Sequence, residues 1–425
     1  MSTIRKELVH AAITKSHALI DYNIHNDIHK RHEFRKQTIL SENSLTKDEK
    51  TEAIRLLNKD YDRNKILYNE GERRIYENCN QECLATLYCE YCIRNYLKSN
   101  FSNWTSGNHD IDNLIQKCQM ETLMPNMVVE WIPYNDLKDI KYLTKGGFSE
   151  IYTAIWVDGG YEEWDSKEQK LERVRGQCAI LKELKNVENA NQKWFEEVKS
   201  HLTISNKWAD IIQCYGLTRN ISNGNYMLVM METDMDLRKY LQQNHNQLTW
   251  KEKINITFEI VRALYFIHKE DAIHRDLHSG NILYSQFNDH WFISDLGFCG
   301  PANKSSKNIY GNLPYIAPEV IIGKKYTFKS DIYSIAMLIL QEMNLYYQST
   351  SDESLQPEIY NDLQLNKSNN LIGNTHNRLF TSKIYHFENL PEPRNATKEE
   401  LEEFHSKSEN FSIPNNNDED EATNK

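Results

Sequence analysis

The chain is expected to adopt an α+β fold in which a strand-rich segment precedes a helical one. Three patterns lead there. Between about residues 128 and 231, short runs of β-type alternation recur, as in 143–154 around Gly146-Gly147, in 178–182 and in 226–230. Between 250 and 269, apolar side chains return with helical period at Ile254, Phe258, Val261 and Tyr265, in step with His268, which predicts a helix buried along that face. Finally, two short apolar runs each end in a polar turn carrying a carboxylate, Asp276 in one and Asp295 in the other.

In chain order, residues 1–75 are highly charged with spaced apolar positions, the mark of a helical region. Thr46-Lys47-Asp48-Glu49 has the form of a capping box, and Ile54, Leu57 and Tyr61 continue one helix face. A solvated helical appendage is the plainer account of this region, a docking segment the sharper one.

Residues 76–127 form a Cys-rich segment. Cys79, Cys83, Cys89 and Cys92 follow the spacing C-x3-C-x5-C-x2-C, and four thiolates so close suit one tetrahedral Zn²⁺. Only the second pair has the x2 knuckle spacing, and Cys118 and His109 are alternative ligands. The competing account makes Cys83, Leu84 and Leu87 one buried face of a helix.

Composition narrows the class of partner. The chain carries 50 Lys+Arg against 61 Asp+Glu among 425 residues, a net charge of -11, which disfavours nucleic acid or an anionic membrane as partner. No apolar stretch follows Met1-Ser2-Thr3-Ile4-Arg5-Lys6, and the apolar run at 335–340 is too short to span a bilayer, so no membrane association is expected. Eight cysteines without an export signal suggest thiols or a metal site and an intracellular, cytoplasmic compartment.

The most informative stretch is His274-Arg275-Asp276-Leu277-His278-Ser279-Gly280-Asn281, followed by Ser294-Asp295-Leu296-Gly297. A carboxylate to take a proton, with an amide and a second carboxylate to hold a divalent cation, is what phosphoryl transfer needs. Together the two segments resemble the protein kinase catalytic core, an H-R-D-L-x-x-x-N loop with D-L-G in the place of D-F-G. The resemblance belongs to the tyrosine-kinase-like group and implies a two-lobed fold, with a β-rich N-lobe carrying one regulatory helix and a helical C-lobe. It implies ATP and Mg²⁺ as cofactors and protein Ser/Thr as substrate, with Tyr not excluded. Asp276 would be the catalytic base, and Asn281 and Asp295 the Mg²⁺ ligands.

Upstream, the same resemblance assigns the nucleotide contacts. Leu143, Gly146, Gly147 and Ile151 would form the phosphate-covering loop, although Thr144 and Ser149 stand at two of its usual glycine positions. Lys182 would orient the phosphates, with Glu197 of a following amphipathic helix as its partner and Glu196 as the neighbouring alternative. Met231 and Thr233 would present backbone groups to adenine, behind Met230. Ile180 replaces the small residue usual above the adenine ring, and His278 stands where Ser/Thr kinases commonly have Lys.

The resemblance covers residues 128–345. Within it, Ser330-Asp331 opens the central C-lobe helix, with Asp331 anchoring the catalytic loop from below. Residues 346–425 lack an apolar helical period and read as a polar, largely disordered tail, so the later C-lobe helices are not recognised. A face of the central helix would then need the tail or a partner to cover it, or the domain would be only marginally stable. The sequence thus supports an ATP-dependent protein kinase in signal transduction. The alternatives are a catalytically impaired, nucleotide-binding scaffold and, from the N-terminal part, a zinc-dependent interaction module.

Overall fold

A computed structural model describes residues 4–145, 149–184, 193–244, 247–287, 289–300, 309–343 and, as backbone, 383–385. The first three helices, α1 (Lys6–Ala18), α2 (Ile28–Ser41) and α3 (Lys47–Tyr68), pack around Val9, Ala12, Ile39, Leu45, Ala53 and Leu57. The capping box at the start of α3 is formed. Thr46 Oγ1 accepts from the Glu49 amide, and the Glu49 carboxylate accepts from the Thr46 amide and from Arg5. A short hairpin of β1 (Arg74–Ile75) and β2 (Glu82–Cys83) follows, then α4 (Glu90–Ser99) and α5 (His109–Met120). Cys83 therefore ends a strand, Leu84 and Leu87 lie in the loop before α4, and Leu87 is exposed. No helix runs through them, so the competing account of the cysteine segment does not hold. The side-chain Oδ1 of Asn108 caps α5 by accepting from the Asp110 and Ile111 amides, and the helix lays Ile111, Leu114 and Ile115 against Val198 and Leu202 of α6 (Lys193–Ile204).

The strands β3 (Glu130–Trp131), β4 (Leu137–Lys145), β5 (Ser149–Trp156), β8 (Gln177–Leu184), β9 (Cys214–Arg219) and β10 (Tyr226–Met231) make one sheet in the order β3-β9-β10-β8-β5-β4. Between β5 and β8 the polar excursion forms its own hairpin, β6 (Tyr161–Asp165) with β7 (Lys170–Arg173). β3 runs so close to β9 that a Cβ on Gly216 would fall 1.8 Å from the Glu130 carbonyl oxygen, at a φ of +152°. Glycine is required there by the close approach as much as by the backbone.

The second lobe is mainly helical. β11 (Met235–Asp236), α7 (Leu237–Asn244) and α8 (Trp250–Lys269) lead to a small sheet in which β11 pairs β12 (Ile282–Ser285) and β12 pairs β13 (His290–Ile293). Next come β14 (Ile309–Gly311), α9 (Pro318–Ile321) and α10 (Phe328–Leu338). From the tail, β15 (Lys383–Tyr385) pairs antiparallel with β14, Gly311 opposite Lys383. The other tail residues, 346–382 and 386–425, lie outside the described residues.

The helix α8 forms where periodicity predicts it, but with the opposite face inward. Ile254, Phe258, Val261 and Tyr265 are exposed, whereas Ile256, Ile260, Ala263, Leu264 and Ile267 are buried against Leu237, Leu241, Trp291 and Leu338. Apolar residues run along two stripes of this helix, and period alone does not choose between them. On α10, Ile335 and Leu338 are buried and Ile332 is exposed. No helix among the described residues is long and apolar enough to cross a membrane.

Burial lowers the imidazole pKa of His17 and His32 from 6.5 to about 4, and that of the fully buried His201 to about 3. The unfolded chain therefore takes up these protons first as the pH falls below 6.5. Stability is expected to decline from there toward pH 4 and to be insensitive to these groups above pH 7. Melting temperature followed against pH tests this, and His32→Gln should flatten part of the slope. A flat profile between pH 7 and 4 would contradict it.

Candidate active site

Lys182 sits in the middle of the large sheet, opposite Ile151 of β5 on one side and Leu228 of β10 on the other. Its long side chain leaves the sheet toward α6, where Val198 and Leu202 point into the core and Glu197 is therefore turned toward the cleft. Lys182 Nζ donates to Glu197 Oε1 at 2.8 Å and to Asp295 Oδ1 at 2.7 Å. Burial alone would lower the lysine pKa, but the two carboxylates outweigh it and raise it above the ordinary lysine value. Burial works in the other direction on Asp295, yet Lys182 holds its carboxyl well below the usual range. Both groups are charged across the physiological range, so the pair ties the two lobes together.

Asp295 occupies the left-handed region at φ 57° and caps a 3-10 turn at 296–298 by accepting from the Gly297 amide. The turn is held by the β12–β13 hairpin, in which Ile282 faces Ile293, and by the Ser294 amide, which donates to the Asn281 carbonyl at 2.9 Å. His274 is fully buried and joins the two motifs. Its Nε2 lies 2.9 Å from the Ser294 carbonyl oxygen, and its Nδ1 accepts from the Asp276 amide at 3.3 Å. The loop from His274 to Asn281 is thereby fixed against the strand that delivers Asp295.

Within that loop Asn281 donates from Nδ2 to the Asp276 carbonyl at 2.8 Å, which leaves its amide oxygen as a ligand atom. Asp331 of α10 accepts from the His274 amide at 2.8 Å and the Arg275 amide at 2.9 Å, and also faces His268 Nε2 at 2.9 Å. These contacts hold Arg275 at a φ of 72°, a conformation an arginine rarely adopts unaided. His278 is directed as well. Its Nδ1 accepts from the Gly280 amide at 3.1 Å, which assigns the proton to Nε2, and Nε2 lies 3.8 Å from Asp276 Oδ1.

Of the residues expected to contact nucleotide, Ile151 and Lys182 stand side by side across paired strands, and Leu143 is exposed at the end of β4. Met231 ends β10 with its amide donating to the Gln213 carbonyl, and Thr233 follows it in the inter-lobe connection. Gly146 and Gly147 lie outside the described residues. Sequence reasoning missed His201. It is fully buried, neither ring nitrogen has a hydrogen-bond partner among the described residues, and a ring nitrogen lies within 4.8 Å of both the Glu197 and the Asp295 carboxylates. Its place one turn beyond Glu197 was the available signal. A cavity of about 630 Å³ opens elsewhere, between the N-terminal helices and the second lobe, lined by His17, Arg35, Arg63 and Trp208. Its lining includes neither Lys182, Asp276 nor Asp295.

A sheet lobe with one helix, a helical lobe, and a lysine–carboxylate bridge between them are joined by a family match. The protein kinase domain model matches residues 168–407. The chain belongs to the protein kinase family. The matched span begins in the turn of the β6–β7 hairpin and runs on past residue 345. A probable serine/threonine-protein kinase of Dictyostelium discoideum is 29% identical over 238 residues, covering 54% of this chain and 23% of that protein. A G-type lectin S-receptor-like serine/threonine-protein kinase of Arabidopsis thaliana is 28% identical over 222 residues, covering 49% of this chain and 24% of its own length. A probable leucine-rich repeat receptor-like protein kinase of the same plant is 26% identical over 263 residues, covering 59% and 21%. The chain thus spans less than a quarter of the length of these relatives.

Proposed function

We propose that this kinase transfers the γ-phosphoryl group of ATP to serine or threonine hydroxyls of a protein substrate. The observation that carries the reading is the pair of contacts from Lys182 to Glu197 and to Asp295, 2.8 and 2.7 Å, which assembles the cleft from both lobes. The kinase unit then begins near residue 128, because β4 and β5 share a sheet with β8.

In this reading Asp276 accepts the proton of the attacking hydroxyl, and Lys182, oriented by Glu197, meets the phosphates. Asn281 through its amide oxygen and Asp295 through its carboxylate would hold Mg²⁺, a hard cation suited to oxygen donors. Mg²⁺ held there would supply neutralisation of the charge that develops on the phosphates. Leu143, Gly146, Gly147 and Ile151 cover the nucleotide, and Met231 and Thr233 meet adenine through backbone groups. His278 supplies an N–H beside Asp276, a donor where Ser/Thr kinases commonly place a lysine. The serine/threonine preference is supported by the relatives, which are named as serine/threonine-protein kinases. The cysteine segment lies outside this transfer chemistry.

Thermal melting of the purified chain with and without ATP and Mg²⁺ tests the cleft, followed by radiolabel transfer and phosphoamino-acid analysis. The expected result is a cooperative melt raised only by the nucleotide–metal pair, and label in phosphoserine and phosphothreonine. Lys182→Met should remove most of the shift. An unshifted melt without transfer would favour a scaffold, and label confined to phosphotyrosine would overturn the substrate class.

A further inference from the structure

The Cys-rich segment brings its thiols together by topology. Cys79 lies in the turn of the β1–β2 hairpin, Cys83 ends β2, Cys89 precedes the first residue of α4 and Cys92 lies in its first turn. The sulfurs of Cys79, Cys89 and Cys92 are all within 4.8 Å of one another, and Cys79 Sγ is 3.7 Å from Cys89 Sγ. That distance is far beyond a disulfide bond of about 2.05 Å. It matches the edge of a metal tetrahedron, since Zn–S bonds of about 2.3 Å place neighbouring sulfurs about 3.8 Å apart. Cys83 Sγ lies within 4.8 Å of Cys89 Sγ and of the Glu90 carboxylate, next to the triad and not part of it, and its thiol donates to the Ala85 carbonyl at 3.7 Å. Glu90 borders the site. It is 4% exposed, its Oε1 accepts from the Leu84 amide at 2.9 Å, and its Oε2 has no hydrogen-bond partner among the described residues.

We propose that Cys79, Cys89 and Cys92, with Cys83 as fourth ligand, bind one Zn²⁺ as thiolates. The thiols release their protons to solvent as the metal–sulfur bonds form, and no redox change is involved. The sulfur-rich donor set selects zinc over the hard cations that oxygen ligands prefer. Placement of two ligands at the start of a helix adds backbone N–H groups that favour thiolate charge.

The site has a structural role. Residues 76–127 carry a small core, in which Tyr76, Tyr88, Ile93 and Leu97 pack with Trp164 and Leu171 of the β6–β7 hairpin. Asn78 Nδ2 donates to the Ser166 carbonyl at 2.7 Å, and Lys59 meets Glu163 at 2.8 Å. A core this small gains from a metal staple. Zinc therefore fastens the β1–β2 hairpin to α4 and, through them, the N-terminal unit to the sheet lobe.

The test is elemental analysis of the full chain purified under reductant without chelator, with Co²⁺ substitution as a spectroscopic readout. About one zinc per chain is expected, kept in the Cys178→Ser control and lost in Cys89→Ser and Cys92→Ser. Cobalt should give the absorption of a tetrahedral thiolate site, weakened by Cys83→Ser and unaffected by Glu90→Gln. Because a cysteine variant can fail to fold, the wild-type zinc content decides first. Zinc absent from the wild-type chain, or a Cys79–Cys89 disulfide found by mass, would overturn the proposal. A cobalt spectrum altered by Glu90→Gln and not by Cys83→Ser would overturn the fourth ligand.

Discussion

Replacing Asp276 with asparagine is expected to lower the rate of phosphoryl transfer by about a hundred- to ten-thousand-fold, the usual contribution of a positioned general base. Nucleotide binding should remain. The substitution is nearly isosteric, and two of the contacts that shape the loop here are made by the main chain. The Asp276 amide donates to His274 and its carbonyl accepts from Asn281, and neither depends on the carboxylate. What is lost is the acceptor for the hydroxyl proton, because a neutral amide has no basicity to offer at pH 7. Single-turnover transfer and the ATP–Mg²⁺ melting shift should be measured on the same preparation. Lost turnover with an unchanged shift is the predicted pair. Unchanged turnover would remove Asp276 from the assigned role, and a lost shift would show that the substitution disturbed the cleft.

The family and the order of its elements were legible because the informative residues are local. His274 to Asn281 and Ser294 to Gly297 each fall within one turn or loop, where residue type and spacing carry the chemistry directly. Glu197 was legible for a related reason. The neighbouring Val198 and Leu202 fix the helix face, and the structure sets Glu197 Oε1 2.8 Å from Lys182 Nζ. Positions decided by packing from elsewhere were not legible. The inward face of α8 depends on Trp291 and Leu338, distant in sequence, and its two apolar stripes fit the same period. His201 reads as one histidine on an amphipathic helix until Asp295 is brought against it from the other lobe. Likewise the polar excursion after β5 gives no local sign that Trp164 and Leu171 complete the core of the cysteine segment.

Replacing Asp331 with alanine is expected to cost about 3–5 kcal/mol, the penalty for breaking a buried charged network by removing one partner. The side chain is fully buried and accepts from the His274 and Arg275 amides while facing His268. Alanine would leave two backbone donors without an acceptor, at about 1–3 kcal/mol each. It would also release Arg275 from its left-handed conformation at φ 72°, which persists only while its surroundings impose it. For a domain of this size the melting temperature should fall by roughly 10 °C. Transfer should fall with it at temperatures where the chain is still folded, because the same two residues lead directly into Asp276. Asparagine at this position keeps one carbonyl acceptor but turns its amide hydrogens toward a neighbouring donor, so Asp331→Asn should be intermediate in both measurements. The distinguishing comparison is with Asp276→Asn, which should leave the melting temperature nearly unchanged while removing activity. If Asp331→Ala lowered the melting temperature by no more than a degree or two, water would be satisfying the freed amides. The catalytic loop would then be held chiefly by His274 and Ser294, not from below by α10.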